Sequence, residues 1–475
     1  MIMDYNASNK ESIEEYARLL LDKNLSNVLE PKLIHRFNNK ASKGRLGQVV
    51  EEEYFGYKVN SRKEADFKEA GIELKVAPLK EIKPKESSDS LREKQGISAK
   101  ERIVLSIINF MEIHKEQWTL NSLFDKCGQL LLMFYLNEKD KPIEELIFKI
   151  INVWSPSEED FIVIKKDWET IINKINAGKA HEISEGDTMY LGACTKGSTA
   201  AKSKRSQPYS EILAPQRAFS LKRSYVDSII EELLQREVYF TNQKAKAISA
   251  IVKGVSFDEV ILDLFKELKG CSLAKIITKY DIIRARKAKN FNRLIVDDIC
   301  KKTFGDKLDN LEELKKANIE VKTILLKPSG MPKESMSFEQ IDYCGINSES
   351  WEESSIRDKF ENKKHLWIIF KATRNFEKQS ELSLDEIVVD NVMFWNMPIT
   401  DLEGSMYYVW ENTVDKISAG EYNSFIKISD KQIAHIRPKG KDSNDVMLTP
   451  QGTYERKKCF WLNASYIKRQ IEKEG

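Results

Sequence analysis

Gly71-Ile-Glu-Leu-Lys75 and Asn318-Ile-Glu-Val-Lys322 carry one pattern twice, 247 residues apart. In a strand, successive side chains alternate between faces, so Glu73 and Lys75 share one side while Ile72 and Leu74 turn towards a core. Further matches keep the same order along the chain. Trp154 with Pro156 corresponds to Trp395 with Pro398, and Asp167-Trp-Glu with Lys174-Ile-Asn-Ala-Gly178 to Val409-Trp-Glu with Lys416-Ile-Ser-Ala-Gly420, at an offset of 242. Phe219-Ser-Leu-Lys-Arg-Ser-Tyr-Val226 is echoed by Phe460-Trp-Leu-Asn-Ala-Ser-Tyr-Ile467 at an offset of 241. Collinear matches whose offsets drift by a few residues are what tandem duplication with small loop insertions leaves behind.

The repeat fixes the expected organisation: a first domain over residues 1–235, a polar connector over 236–254 and a second domain over 255–475. Within each copy an amphipathic helical opening leads to short strands such as 72–76 and 130–135. A helix near 164–177 and a closing helix near 225–235 follow. Strands and helices mixed in this order predict an α/β fold with a central mixed sheet flanked by helices.

Composition narrows the partners less than it narrows the class. The 475 residues hold 76 Lys+Arg against 74 Asp+Glu, a net charge of +2, which excludes a histone-like basic protein and an acidic disordered tail. With 41% hydrophobic and 32% charged residues the chain is globular. It has no apolar run of the ~18 residues a membrane span needs, and Met1 to Lys10 is polar, without a signal-peptide core. A cytoplasmic protein with no membrane partner is the expectation. The 6 cysteines are widely spaced and read as buried thiols of a reducing compartment, and none of the 5 histidines has zinc-ligand spacing.

Asp66 lies seven residues before Glu73. Delivered by the preceding strand or turn, it places two carboxylates beside the Lys75 ammonium, a set that suits a hard divalent cation such as Mg²⁺. Such a centre serves phosphodiester hydrolysis, with the lysine orienting a water or stabilising developing charge. Glu-x-Lys alone is weak in a chain rich in both residues: Glu30-Pro-Lys32 repeats it, and a solvated charged strand reads the same way. A third acid sharpens the pattern. Lys43-Gly-Arg-Leu-Gly-Gln-Val-Val-Glu51 reads as a glycine-opened helix with Gly47 and Glu51 one turn apart on one face, although Glu52 or Glu53 could point inward instead.

Together these blocks, with Trp154-Ser-Pro-x-Glu-Glu-Asp160, Asp167-Trp-Glu169 and Phe219-x-Leu-Lys222, resemble the MutH mismatch-repair nuclease family. They resemble even more its tandemly duplicated relatives, the Sau-type type II restriction endonucleases that cut at GATC, as do Ser98-Ala-Lys-Glu-Arg102, Cys194-Thr-Lys-Gly197 and Gln216-Arg-Ala-Phe-Ser-Leu-Lys222. The resemblance covers essentially the whole chain. It implies two restriction-endonuclease-like domains, a Mg²⁺ cofactor, metal-binding acids at Glu51, Asp66 and Glu73, and a catalytic Lys75. A second family lysine falls at Lys126. The chain carries an extra residue between the helix glutamate and the aspartate, which keeps Glu52 open as a substitute for Glu51.

The segment from Lys196 to Arg223 holds seven basic residues against Glu211, with Gly, Ser and Pro interleaved. That composition predicts a mobile loop able to enter a DNA groove and meet phosphates and base edges. The resemblance places DNA contacts at Lys43, Gly44, Thr195, Lys196, Arg217 and Lys222. It also places Ser220 where the repair enzyme has a tyrosine that helps sense adenine methylation. Cutting little affected by that methylation is the expectation.

In the second half, Glu313 replaces Asp66, and the helix acid's counterpart falls near Asp298 or Ile299 without a Gly-x-x-x-Glu. An incomplete metal site is expected. His435-Ile-Arg-Pro-Lys-Gly440 nevertheless resembles the repair enzyme's DNA-reading segment, which makes Arg437 and Lys439 candidate DNA contacts of an effector domain. The leading expectation is a Mg²⁺-dependent type II restriction endonuclease acting on double-stranded DNA at GATC, as a monomer or as a dimer assembling on DNA. A cognate DNA methyltransferase would share its cell. A non-catalytic sequence-specific DNA-binding protein and a strand-nicking repair endonuclease are the alternatives.

Overall fold

The computed structural model describes residues 5–29, 45–57, 64–118, 122–138, 141–196, 203–238, 256–284, 286, 290–442 and 444–474. Lys43, Gly44 and most of the expected connector lie outside them. The chain divides into two compact units, residues 1–183 with 187–245, and residues 184–186 with 246–475.

The first unit contains β1 (Ile72–Glu81), β2 (Ile97–Ala99), β3 (Ile103–Ile107), β4 (Gln129–Leu136), β5 (Phe148–Trp154), β6 (Leu191–Thr195), β7 (Lys204–Gln207), β8 (Ser210–Pro215) and β9 (Arg217–Leu221). Its main sheet runs β2-β1-β4-β5 and is mixed: β1 and β4 are parallel, while β2 and β5 are antiparallel to their neighbours. Leu130 to Phe134 are all buried, as an apolar run covered on both faces of a sheet requires. A parallel pair needs a long crossover, and residues 82–128 supply it. A second sheet, β3-β9-β6, and the hairpin β7–β8 complete the unit, so the single central sheet expected is accompanied by a smaller one.

The helix Glu158–Asn176 starts where the Ser157 side chain accepts the Asp160 N–H, with three acids in its first turn, and is followed by Gly178 at φ +70°. Both ends follow the chemistry of capping: an oxygen and negative charge at the amino end, a residue without Cβ at the left-handed exit. The buried stripe of Val163, Ile164, Trp168, Ile171, Ile172 and Ile175 gives the helix its core face.

The second unit contains β10 (Ile319–Leu326), β11 (Met336–Gln340), β12 (Lys364–Ala372), β13 (Ile387–Trp395), β14 (Ala434–Pro438), β15 (Val446–Leu448), β16 (Tyr454–Arg456) and β17 (Lys458–Leu462). Again a first strand pairs in parallel with the next, β10 with β12, and β13 closes antiparallel. Again a three-stranded sheet, β11-β17-β14, and a hairpin, β15–β16, follow. The repeated segments occupy like places: Trp154 and Trp395 end β5 and β13, and β9 and β17 each lead into a closing helix, Arg223–Val238 and Ala464–Glu474. Gly71 (φ +66°) and Asn318 (φ +51°) both hold the left-handed residue before the first strand, a conformation Gly and Asn tolerate best.

Two expectations are corrected. The basic stretch 196–223 is not a loop throughout: of its described residues, most form β7, β8 and β9. The cysteines are not all buried, because Cys344 is exposed and Cys271 half-buried, although all six are free thiols. Among the described residues no helix is long and apolar enough to cross a membrane.

Candidate active site

A tight turn creates the first half of the site. The Phe67 N–H donates to Ile72 O at 2.9 Å and the Ile72 N–H returns to Phe67 O at 3.3 Å, with Gly71 supplying the left-handed step between them. Asp66 is thereby folded back onto β1. Its backbone N–H donates to Glu73 Oε2 at 3.1 Å, and its own Oδ2 accepts the Leu74 N–H at 3.0 Å. Lys75 Nζ donates to Glu73 Oε1 at 2.7 Å. Lys126, on the helix Ser122–Cys127 that leads into β4, brings its Nζ to 3.4 Å from the same oxygen. Ile72 and Leu74 face the core as the period of two requires, and Glu73, on the opposite face, is itself only 2% exposed.

The helix that carries the third acid differs from the expected regular turn. Arg45–Val49 is α-helical, but Val50–Tyr54 widens into a π turn in which the Phe55 N–H donates to Val50 O at 3.0 Å. Such inserted turns reposition one side chain relative to the rest of a helix and cluster at functional sites. Here Glu51 is half-buried and feels Asp66, Lys75 and Glu73, while Glu52 is exposed. Gly47 faces the sheet: a β-carbon there would stand 3.8 Å from that of Val76, an ordinary van der Waals contact.

The electrostatics reflect crowded carboxylates. Burial, then Asp66, then Glu73 push the Glu51 carboxyl up to about 7 against the pull of Lys75. Asp66 is pushed up to about 6 by burial and by Glu73, with the Leu74 N–H and Lys75 opposing. Burial works against the Lys75 ammonium, yet Glu73 beside it raises its pKa. Two neighbours carry no motif in the sequence. Tyr57 is held un-ionised by burial and by Asp66, Glu51 and Glu73, and its hydroxyl has no hydrogen-bond partner among the described residues. The Cys127 thiol is pushed up to about 12 by burial, with Lys75 and Lys126 opposing, so it stays protonated and inert.

Among the described residues no three His, Cys, Asp or Glu side chains are disposed to hold a metal ion as they stand. Both Glu73 oxygens and one Asp66 oxygen are turned to hydrogen-bond donors. The donor set itself fits a small hard cation, being carboxylate oxygens of which burial, and after it mutual repulsion, keeps two above their ordinary pKa.

Of the expected DNA contacts in this unit, Thr195 is exposed at the end of β6 and Lys196 follows it half-buried. Arg217 and Lys222 are placed differently from the exposed groups expected. At 4% and 7% exposure they are buried: Arg217 donates to Ala193 O at 2.7 Å, and Lys222 donates to Thr188 O and offsets the charge of Asp167. Asp167 is fully enclosed and accepts the N–H groups of Met189, Tyr190 and Leu191 at 2.7, 2.6 and 2.9 Å. The Asp167 and Lys222 motifs thus anchor the start of β6 from within. Ser220 is buried between β3 and β6, opposite Val104 and Gly192.

In the second unit Glu320 occupies on β10 the place Glu73 holds on β1, and its carboxylate is shared by three lysines: Lys322 at 2.5 Å, Lys363 at 3.4 Å and Lys359 at 3.7 Å. Burial alone would raise this carboxyl, but Lys322, Lys363 and Lys359 outweigh it and hold it at about 2. Asp298 is bound to Arg284, and Ile299 is a core residue. Glu313 is buried in the helix Glu312–Lys316. On β14 Arg437 is exposed and stacks 4.2 Å over the Trp461 ring, and Lys439 Nζ donates to Phe338 O at 2.7 Å.

The family model described as "DNA mismatch repair enzyme MutH" matches residues 55–167 and 306–403, one stretch in each unit. The chain is 31% identical to the type II restriction enzyme Sau3AI of Staphylococcus aureus, over 91% of this chain and 93% of that protein. It is 25% identical to the DNA mismatch repair protein MutH of Shewanella amazonensis, over 41% of this chain and 81% of the relative. The MutH of Vibrio campbellii is 26% identical over 41% and 80%. Fold, site and kinship define an endonuclease with an acidic, lysine-bearing sheet edge. The chain belongs to the MutH-like family of site-specific endonucleases, with the Sau3AI-type type II restriction enzymes as full-length kin.

Proposed function

We propose that this protein is a type II restriction endonuclease of two tandem copies of one unit, in which the first cuts both strands of double-stranded DNA at GATC and the second binds DNA without cutting. The observation that carries the reading is the convergence of Glu51, Asp66, Glu73, Lys75 and Lys126 in the first unit, set against a single carboxylate among three lysines at the like place in the second. The matching strand pairings of the two units support the duplication. The block resemblance to GATC-cutting relatives supports the site.

Glu51, Asp66 and Glu73 would hold Mg²⁺, which supplies Lewis-acid stabilisation of the phosphate and a water of lowered pKa. The chain's own groups do the rest. Glu73 ties Lys75 and Lys126 to one point, so two ammonium groups stand ready beside a phosphate whose charge grows in the transition state. Lys75 is kept charged by Glu73 and can donate to an attacking water or to a phosphate oxygen. The clamp between Asp66 and Glu73 keeps the two acids side by side before DNA arrives, and binding Mg²⁺ would exchange these donors for the metal. A cognate methyltransferase would protect the host sites, and assembly on DNA would be as monomer or dimer.

Digestion of a plasmid by the purified protein with and without Mg²⁺ tests the reading. Metal-dependent double-strand fragments ending at GATC are expected. Nicked circles alone would favour a strand-nicking enzyme, and retention without breakage would remove the catalytic assignment.

A further inference from the structure

Lys322, Lys359 and Lys363 come from three places to meet one carboxylate. Lys322 lies two residues beyond Glu320 on β10, Lys359 lies on the helix Ser355–Asn362, and Lys363 sits between that helix and β12. The first unit has the same plan: Lys75 two residues beyond Glu73, and Lys126 on the helix before β4. The pairing is equivalent too, since Glu320 lies opposite His365 in the parallel β10/β12 pair as Glu73 lies opposite Leu130 in β1/β4.

The charge balance is reversed. In the first unit Glu51, Asp66 and Glu73 face Lys75 and Lys126, leaving one negative charge over. In the second, three lysines face Glu320 and Glu339, leaving one positive charge over. The Lys322 and Lys363 side chains are 24% and 27% accessible, so this charge can be reached from solvent. Three ammonium groups against two carboxylates repel a divalent cation and attract a phosphate, whose oxygens accept charge-assisted hydrogen bonds.

We propose that Lys322, Lys359 and Lys363 form a metal-independent binding site for a DNA backbone phosphate, at the place in the second unit where the first holds its catalytic carboxylates. The proposal rests on the reading that the second unit engages DNA, and gives that engagement its anchor. Fixed ammonium charges do there what a metal does in the first unit, without generating a nucleophile. Glu320 keeps the lysines together and yields part of its hold to a backbone phosphodiester, whose two non-bridging oxygens share one negative charge and meet the surplus positive charge of the site.

The test is titration of the full-length protein with a fluorescent GATC duplex in EDTA, where nothing is cut, over a range of salt. Wild type is expected to take up two duplexes per chain. The double variant Lys322→Met/Lys363→Met should weaken uptake of the second by about tenfold or more, and its log K against log[salt] slope should become shallower by about 1–2. Lys322→Arg/Lys363→Arg, which keeps the charge, should retain second-duplex binding, and Glu320→Gln should tighten it several-fold by releasing the lysines. Second-duplex affinity and salt slope unchanged in the Met variant, or equally lost in the Arg variant, would overturn the proposal alone. A wild-type chain that takes up a single duplex, with Arg437→Ala changing nothing, would overturn the underlying reading of the second unit as well.

Discussion

Asp66 and Glu73 hold each other in place: the backbone N–H of Asp66 donates to Glu73 Oε2 at 3.1 Å, while Asp66 Oδ2 accepts the N–H of Leu74, the residue after Glu73, at 3.0 Å. Each acid is therefore both a candidate ligand and a brace for the other. Asp66→Asn separates the two roles, because an amide oxygen can still accept from Leu74 but carries no charge. The variant should melt within a few degrees of wild type and lose cleavage by about 10²-fold or more. Full activity in Asp66→Asn would assign the aspartate to structure only.

Lys222 makes the opposite prediction. Its ammonium lies inside the first unit as the counter-charge of Asp167, so Lys222→Met leaves a buried carboxylate with its three N–H donors but no counter-charge, at a cost of about 3 kcal/mol. Chemical denaturation should show that loss. Unaltered stability combined with a shallower salt dependence of DNA binding would restore Lys222 as a phosphate contact.

The second unit should be sensitive to acid. Burial, aided by the neighbouring lysines, pushes His365 from 6.5 down to about 3, and neither ring nitrogen has a hydrogen-bond partner among the described residues. A histidine depressed in the folded state binds fewer protons there than when unfolded, so its contribution is complete above pH 6.5 and is lost as pH falls towards 3. Glu320, lowered from 4.5 to about 2, adds a second loss as pH falls from 4.5 towards 2. Thermal melts across pH 7 to 4 should show the unit weakening, and His365→Leu, which installs the residue type of Leu130, should flatten the upper part of that decline. An unchanged profile in His365→Leu would contradict the assignment.

Ser220 bears on methylation. Its side chain is buried between β3 and β6, and it offers no ring to a base. Adenine-methylated and unmethylated GATC duplexes should be cut at rates within about twofold, a negligible difference on the energy scale of a lost contact. A preference of tenfold or more for either duplex would show that another residue senses the methyl group.

The alternation of Ile72-Glu-Leu-Lys75 made one face of β1 legible from the sequence, and the structure adds the turn at Gly71 that folds Asp66 onto it. The resemblance implied Glu51 and left Glu52 open; that Glu51 is half-buried near Asp66 and Glu73 while Glu52 is exposed goes with a π turn that no spacing in the sequence announces, a change of helical winding that redirects the side chains after it. Tyr57 and Cys127 carry no spacing signal, since their closeness to the acids depends on packing between elements distant in sequence. The burial of Arg217 and Lys222 was illegible for the converse reason. Counting charge along a segment cannot tell a solvated lysine from one buried against an aspartate fifty-odd residues away, and here Asp167 is that partner.

The most direct test of the central claim, that the acid and lysine cluster of the first unit makes the cuts, is single-turnover cleavage of a one-site GATC duplex in Mg²⁺ by wild type and Lys75→Met, with duplex affinity measured in EDTA. Cleavage lower by about 10²-fold or more is expected, with affinity within a few-fold of wild type. Cleavage at the wild-type rate by Lys75→Met, with binding unchanged, would contradict it.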